Sequence, residues 1–411
     1  MKVLVLNCGS SSVKYQLIDT DKRLSLATGM VSRIGISGAV LSHRRYDGDE
    51  VKLSGEILDH IVAIEYVLSI LLSANHGVIK DKSEISAVGH RVVHGGEKFA
   101  SSVLITQDVV NMIRECIELA PLHNPHNLRG INACFKLLPG VPQVAVFDTA
   151  FHQKMPNYAY IYGIPYVLYS RYGIRRYGFH GTSHLYVSRR AAELMQKPLD
   201  QLKIITCHLG NGCSVTAINS GVSVDTSMGF TPLEGLLMGT RSGDLDPAVI
   251  LYIMGQEELS LNEANTLLNK HSGLLGISGV SSDMREIIQE ANSGNGRAGL
   301  ALTAFCYRLK KYIAAYAGVM GGVDALVFTG GIGENAPVVR SKSCEKLAFM
   351  GLEIDEEVNK QALRIEKDIS KTGTRARIFV IPTNEEMVIA EDTQNIVMQA
   401  RAIAEERAAG V

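Results

Sequence analysis

Residues 2–18, KVLVLNCGSSSVKYQLI, and residues 203–218, KIITCHLGNGCSVTAI, follow one plan. In each, a β-branched run breaks at small residues and a second strand-like run follows. The breaks are Cys8-Gly9-Ser10-Ser11-Ser12 and Gly210-Asn211-Gly212. Two strand-glycine-strand hairpins, one per half of the chain, point to a duplicated α/β fold. Such turns aim backbone N–H groups at a common spot, and nests of that kind bind phosphate. A third glycine turn, Gly330-Gly331-Ile332-Gly333-Glu334-Asn335, follows the apolar run Ala325 to Phe328.

The rest of the chain fits around these turns. At 411 residues it exceeds the size at which one hydrophobic core stops growing, so two domains are expected. Hydrophobic residues make up 46% and charged residues 20%, a globular composition. Forty-one basic against 42 acidic residues leave a charge of -1, which argues against nucleic acid or an anionic membrane as partner. The apolar run Val67 to Ile79 contains Asn75 and His76 and is too short to span a bilayer, and the start Met1-Lys2-Val3-Leu4 gives no expectation of a cleavable leader. Seven scattered cysteines without a C-x-x-C pair suit a reduced, cytoplasmic protein.

Helical periodicity covers Glu56 to Ser73, and a buried strand, Ile85 to Val93, runs into His94-Gly95-Gly96. Helices are expected near Gln107 to Leu119 and His126 to Leu138. A strand from Gln143 to Phe147 then ends at Asp148. Further on come a long helix, Arg297 to Met320, a strand, Arg377 to Ile381, and a terminal helix after Thr383-Asn384-Glu385-Glu386. No low-complexity linker divides the halves, so the boundary is expected at a short hinge near residue 150.

No G-x-x-x-x-G-K-[ST] string occurs, which excludes Walker-type NTPases. Gly294 to Gly299 fits G-x-G-x-x-G, but the helical Met284 to Ala291 precedes it, so it reads as a helix-helix loop. Gly331 to Ala336, with Glu353 further on, follows a strand and gives the alternative reading of a Rossmann-type NAD oxidoreductase. Against it, the motif starts only about eighty residues before the C-terminus, too few for two mononucleotide halves. Arg91 lies inside a strand, where a buried charge is costly without an anionic partner. Arg241 stands in Met238-Gly239-Thr240-Arg241-Ser242-Gly243-Asp244. His180, between Gly178 and Gly181 at a helix entrance, is placed for phosphate contact.

Together, Asn7 to Ser12, Gly89 to Glu97, Phe147 to His152, His208 to Gly212 and Gly330 to Asn335 resemble the acetate kinase family, from Val3 to about Asp392. The resemblance implies a duplicated ribonuclease-H-like fold of the actin and sugar-kinase superfamily, with nucleotide in a cleft between two domains. Residues 1–150 with the C-terminal helix 386–411 would form the first domain, and 151–385 the nucleotide-binding domain and dimer interface. The implied activity is reversible phosphoryl transfer between ATP and acetate, giving acetyl phosphate and ADP, in a homodimer.

By position, Asn7 and Glu385 would handle Mg2+, with Mn2+ a possible substitute. Ser10, Ser12 and Lys14 belong to the first phosphate loop. ATP would be held by His208, Leu209, Gly210, Asn211, Gly212, Asp283, Met284, Arg285, Gly331, Ile332, Gly333, Glu334 and Asn335. Arg91 and Arg241 would bind the carboxylate and the migrating phosphoryl group, with His180 and Asp148 beside them. The substrate methyl would sit among Val93, Leu122, Phe179 and Pro232. Propionate kinase of the same family is the alternative, and the branched Val93 favours acetate. One relative uses pyrophosphate, but the intact Gly330 to Asn335 turn favours ATP.

A substrate carboxylate is already ionised at pH 7, its pKa near ~4, so no general base is required. Asp148 is therefore expected to position other groups. Cys8 and Cys213, in or beside phosphate loops, are expected to be reachable thiols with thiolate character.

Overall fold

Both hairpins form in the computed structural model, which describes residues 1–408. β1 (Lys2–Cys8) pairs antiparallel with β2 (Ser12–Asp19) from Lys2 opposite Asp19 to Cys8 opposite Val13. β2 pairs with β3 (Leu24–Ser32), which continues through β4 (Ala39–Arg45) and β5 (Glu50–Gly55). On its other side β1 pairs in parallel with β6 (Ala87–Val92). The short β7 (Val103–Leu104) closes that edge against β8 (Gln143–Phe147), which itself lies parallel to β6.

The second sheet repeats the pattern. β9 (Lys203–Leu209) pairs antiparallel with β10 (Cys213–Asn219), and β10 with β11 (Val222–Thr226). β12 (Ala325–Thr329) lies parallel to β9. The two-residue β13 (Lys367–Asp368) edges β14 (Arg377–Val380), which runs parallel to β12. The orders β3-β2-β1-β6-β8 and β11-β10-β9-β12-β14 match strand for strand in position and direction. The duplication suggested by two hairpins is thus present in ten strands.

The chain divides into two compact units, Met1–Phe151 together with the segment from Asn384 onward, and His152–Thr383. In the first, strand alternation feeds two cores. Leu4, Leu6 and Cys8 pack with Ala63, Ile64 and Cys134, on the side of helices His60–Leu71 and Asn124–Leu137. Val3 and Val5 pack with Met387, Ile389 and Ala390 of the helix Glu385–Ala408. A period of two thus gives β1 two apolar faces, each under a helix. In the second unit, helix Gly296–Met320 packs on β9 and β10, and Gly181–Met195 on β9 and β12.

Several boundaries differ from the expectation. The helix expected from Glu56 starts at His60, because Asp59 accepts the N–H groups of Ile61 and Val62 as N-cap. The helix expected to reach Leu119 ends at Glu115. The loop expected over Gly294 to Gly299 is shorter: only residues 293–295 join the two helices, and Gly296 to Gly299 already belong to the second, which Asn295 caps.

Candidate active site

In the first unit Arg91, on β6, meets Asp148, just past β8, because the two strands are neighbours in register. The contact is a fork: Arg91 Nε lies 2.8 Å from Asp148 Oδ1 and the terminal nitrogen 2.6 Å from Oδ2. Burial works against the Arg91 charge, but Asp148 and Glu385 more than offset it and raise its pKa. Asp148 is 2% exposed, whereas Arg91 keeps 22% of its side chain open. The guanidinium can therefore reach a ligand while its partner cannot.

Arg91 shares a cavity of about 480 Å3 with Asn7, Lys14, Glu385 and Glu386. Burial pushes the carboxyls of both glutamates up; Arg91 and Lys14 pull both down, while Asp148 pushes Glu385 up again and Glu385 does the same to Glu386. Two desolvated carboxyl groups and the Asn7 side chain line one cavity, a supply of oxygen donors of the kind a hard divalent cation accepts. No cluster of three or more His, Cys, Asp or Glu with metal-site geometry occurs among the described residues. Ser10 is exposed and Ser12 half-buried at the β1–β2 turn, which Gly9 N–H closes onto the Ser12 carbonyl at 2.8 Å.

Two residues that the sequence did not single out hold this end of the sheet. Asn127 Oδ1 accepts the Val93 N–H at 3.1 Å, and its amide donates to the Cys8 carbonyl at 3.0 Å. Asn124 brackets His94, accepting its N–H at 3.2 Å and donating to its carbonyl at 2.9 Å. The segment Asn124-Pro125-His126-Asn127 carried the signal: two amides at helical spacing that end up buried. Of the expected methyl pocket, Val93 is half-buried and Leu122 67% exposed in this unit. Phe179 and Pro232 belong to the other.

In the second unit two residues of the turn Tyr177 to His180 take left-handed backbone, Gly178 with φ 76° and His180 with φ 57°. A Cβ at Gly178 would meet Thr226 Cγ2 at 2.3 Å, so only glycine fits. His180 is the N-cap of helix Gly181–Met195, without a side-chain capping bond. Its Nδ1 lies 2.9 Å from Ser214 Oγ, and its ring stacks on His208 at 4.2 Å. Phe179 is buried, and its carbonyl lies 3.0 Å from His152 Nε2.

Arg241 comes to the same place. A Cβ at Gly212 would meet an Arg241 terminal nitrogen at 3.2 Å and His180 Cε1 at 3.7 Å. Arg241 is half-buried and donates to the Pro232 carbonyl at 3.2 Å, with Met238 sulfur at 3.8 Å. No carboxylate pairs with it among the described residues. Burial pulls its pKa down. The loop that carries it is tied by Gly239 N–H to the Asn211 carbonyl, 3.1 Å, and by Leu275 N–H to the Gly239 carbonyl, 3.0 Å.

A second cavity, about 510 Å3, joins Gly210, Asn211, Asp283, Met284, Arg285, Gly331, Ile332 and Asn335, a volume suited to a nucleotide-sized ligand. The other expected ATP residues do not line it. Leu209 is fully buried, and His208 Nδ1 lies 2.8 Å from Ser183 Oγ. Gly212 faces Arg241, and Gly333 is buried, its carbonyl taken by Arg340. Glu334 braces the fold, accepting the N–H groups of Gly330 at 2.9 Å and Thr383 at 3.2 Å.

The expectation for Cys8 and Cys213 is corrected. Cys8 is 3% and Cys213 0% exposed, and burial pushes both thiols up to about 12, over the opposing Arg241 charge at Cys213. A Cβ at Gly130 would meet Cys8 Sγ at 2.4 Å, so helix Asn124–Leu137 seals that sulfur. Neither is a reachable thiolate.

The sequence profile of the acetokinase family matches residues 2–391. The chain belongs to the acetokinase family. It is 59% identical to an acetate kinase of Halothermothrix orenii over 397 residues, 97% of this chain and 100% of that protein. A solved acetate kinase of Porphyromonas gingivalis superposes with a TM-score of 0.94 at 52% identity, covering 96% of this chain and 99% of that one. A propionate kinase of Francisella tularensis matches at 0.90 and 46%, with the same coverage. Membership in the acetokinase family removes the Rossmann oxidoreductase reading: Gly331 to Ala336 follows the fourth strand of a duplicated sheet, not the first of a dinucleotide fold. No helix among the described residues is long and apolar enough to cross a membrane.

Proposed function

We propose that this chain transfers the γ-phosphoryl group of ATP reversibly to acetate, giving acetyl phosphate and ADP. Phosphoryl transfer with a carboxyl group as acceptor is the chemistry of its family and of this chain. The observation that carries the reading furthest is Arg241: a half-buried cation without a carboxylate partner, between the Gly210–Gly212 turn and His180. An anion completes such a site, and the family's substrates are anions.

The nucleotide belongs in the cavity of Asn211, Asp283 to Arg285, Gly331, Ile332 and Asn335. Arg241 and His180 would take the migrating phosphoryl group, whose charge spreads over equatorial oxygens in the transition state. Arg91 would hold the substrate carboxylate, and Asp148, with both oxygens engaged, keeps the guanidinium oriented. The acceptor is already ionised, so the protein needs to position and screen rather than to remove a proton.

Kinases of this family need a divalent metal. We take it to be Mg2+, with Mn2+ as a substitute, held by Asn7 and Glu385 and offsetting phosphate charge. Helix Pro247–Gln256, PAVILYIMGQ, has no buried residue, and Leu251 and Tyr252 are 70% and 68% exposed; this apolar surface supports a homodimer. All seven cysteines are unpaired, which suits the cytoplasm.

The test is acyl phosphate formation from acetate, ATP and Mg2+ by wild type and Arg241→Ala. The variant should lose about 10³-fold in kcat, the scale of an arginine that screens a phosphoryl transition state, with KM for ATP little changed. Near-normal kcat in Arg241→Ala would remove it from the reaction.

A further inference from the structure

His180 is one end of a chain of buried polar groups. Ser214 Oγ, on β10, lies 2.9 Å from His180 Nδ1 and 2.7 Å from His184 Nε2. His184 Nδ1 lies 2.7 Å from Thr206 Oγ1 on β9. Thr206, His184 and Ser214 are all 0% exposed. The element geometry places them: Ser214 is paired with His208 and Thr206 with Thr216 in the β9–β10 hairpin, and His184 stands one helical turn after His180.

Proton counting gives this chain a direction. Burial, with His152 and His208 nearby, pushes His184 far below its ordinary range, so the ring is neutral and carries one N–H. If that proton sits on Nδ1, it donates to Thr206, and the Thr206 hydroxyl proton is left without an acceptor, because its only hydrogen-bond partner among the described residues is His184. A buried hydroxyl in that state costs more than a formed bond returns. If the proton sits on Nε2, every group is satisfied. Thr206 donates to His184 Nδ1, His184 Nε2–H donates to Ser214, and Ser214 donates to His180 Nδ1.

We propose that Thr206, His184 and Ser214 are positioning residues for the reaction, a one-way hydrogen-bond chain that holds His180 as its Nε2–H tautomer. With Nδ1 occupied as an acceptor, a neutral His180 offers a hydrogen-bond donor, not a lone pair, to an anion. The same bond fixes how the His180 ring is turned, so orientation and tautomer are set together. The inference rests on the placement of His180 beside the phosphoryl group, and its test is read apart from that placement.

The experiment uses full-length enzyme labelled with 15N-histidine, with tautomers read from long-range nitrogen–proton correlations and the His180 signal assigned by its loss in His180→Gln. Wild type should show His180 as a single Nε2–H species. Thr206→Val keeps the side-chain shape but removes the donor; an Nδ1–H population should appear at His180, and kcat should fall about tenfold, the scale of one hydrogen bond, with KM for ATP unchanged. Thr206→Ser, which restores the hydroxyl, should recover both. A wild-type His180 protonated on Nδ1, or a Thr206→Val enzyme whose His180 tautomer matches wild type, would overturn the chain. Full kcat in His180→Gln would instead overturn the placement of His180 in the reaction, whatever the tautomer signal shows.

Discussion

Asp148 and Arg91 were each conspicuous alone, one as an acid at a strand's end and the other as a charge inside a strand. Their fork was not legible, because 57 residues separate them and only the β6–β8 register brings them together. From this fork we propose that Asp148 acts by positioning Arg91. Asp148→Asn keeps one acceptor oxygen for Arg91, whereas Asp148→Ala keeps none, so the asparagine variant should retain the higher kcat. Wild-type kcat should stay flat from about pH 6 to 8, since no group gives up or takes a proton in the transfer. A rate that follows one ionisation, abolished in Asp148→Asn, would make Asp148 a base. The cysteines show the opposite limit: a sequence places Cys8 beside a glycine turn but cannot show that the missing side chain of Gly130 lets a helix cover its sulfur.

Among the elements, β1, β2, β9 and β10 could be read because β-branched apolar runs meet at turns of small residues. β3, β4 and β5 could not: residues 24–55 are half-exposed and mix charges with small residues, so neither periodicity dominates. The start of helix Asn124–Leu137 was read late, since asparagine and histidine are weak helix formers and Pro125 lies in the first turn. Arg340, in helix Pro337–Cys344, gave no signal at all, yet it is fully buried. It donates to the carbonyls of Gly333 (2.7 Å), Asn359 (2.8 Å) and Ala362 (2.9 Å) and to Asn359 Oδ1 (2.7 Å). Burial pulls its pKa to about 10, still protonated at neutral pH. Through Gly333 it fixes the back of Gly330–Asn335, which the structure forms as a short helix and not as a turn. Arg340→Met leaves these buried acceptors unmatched and should cost about 3 kcal/mol or more, with a raised KM for ATP. Arg340→Lys should recover little, because an ammonium cannot span the fork. Loss of under about 1 kcal/mol by chemical denaturation would contradict the bracing role.

For the whole molecule, the duplicated sheets bury histidines in both units, and this sets an acid limit. Burial pushes His90 in the first unit and His152 in the second from 6.5 down to about 4, and pulls His184 well below its ordinary range too. The folded chain keeps these rings neutral, while the unfolded chain protonates them below about pH 6.5. Their contribution is therefore intact above that pH and is lost as pH falls toward 4, about 3 kcal/mol for each of the first two. The urea midpoint should drop through this window, and less steeply in His90→Gln; a midpoint flat down to about pH 5 would contradict it. What passes between the substrates is decided by the rate of acyl phosphate formation from acetate, propionate and butyrate with ATP and Mg2+, measured on wild type and Val93→Ala. Acetate should give the highest kcat/KM, with propionate lower by roughly 10 to 200-fold, the worth of one methylene in an apolar pocket, and butyrate lower again. Val93→Ala should narrow the acetate-to-propionate ratio without moving KM for ATP. No acyl phosphate from acetate and ATP, or a wild type that prefers propionate, would contradict the account.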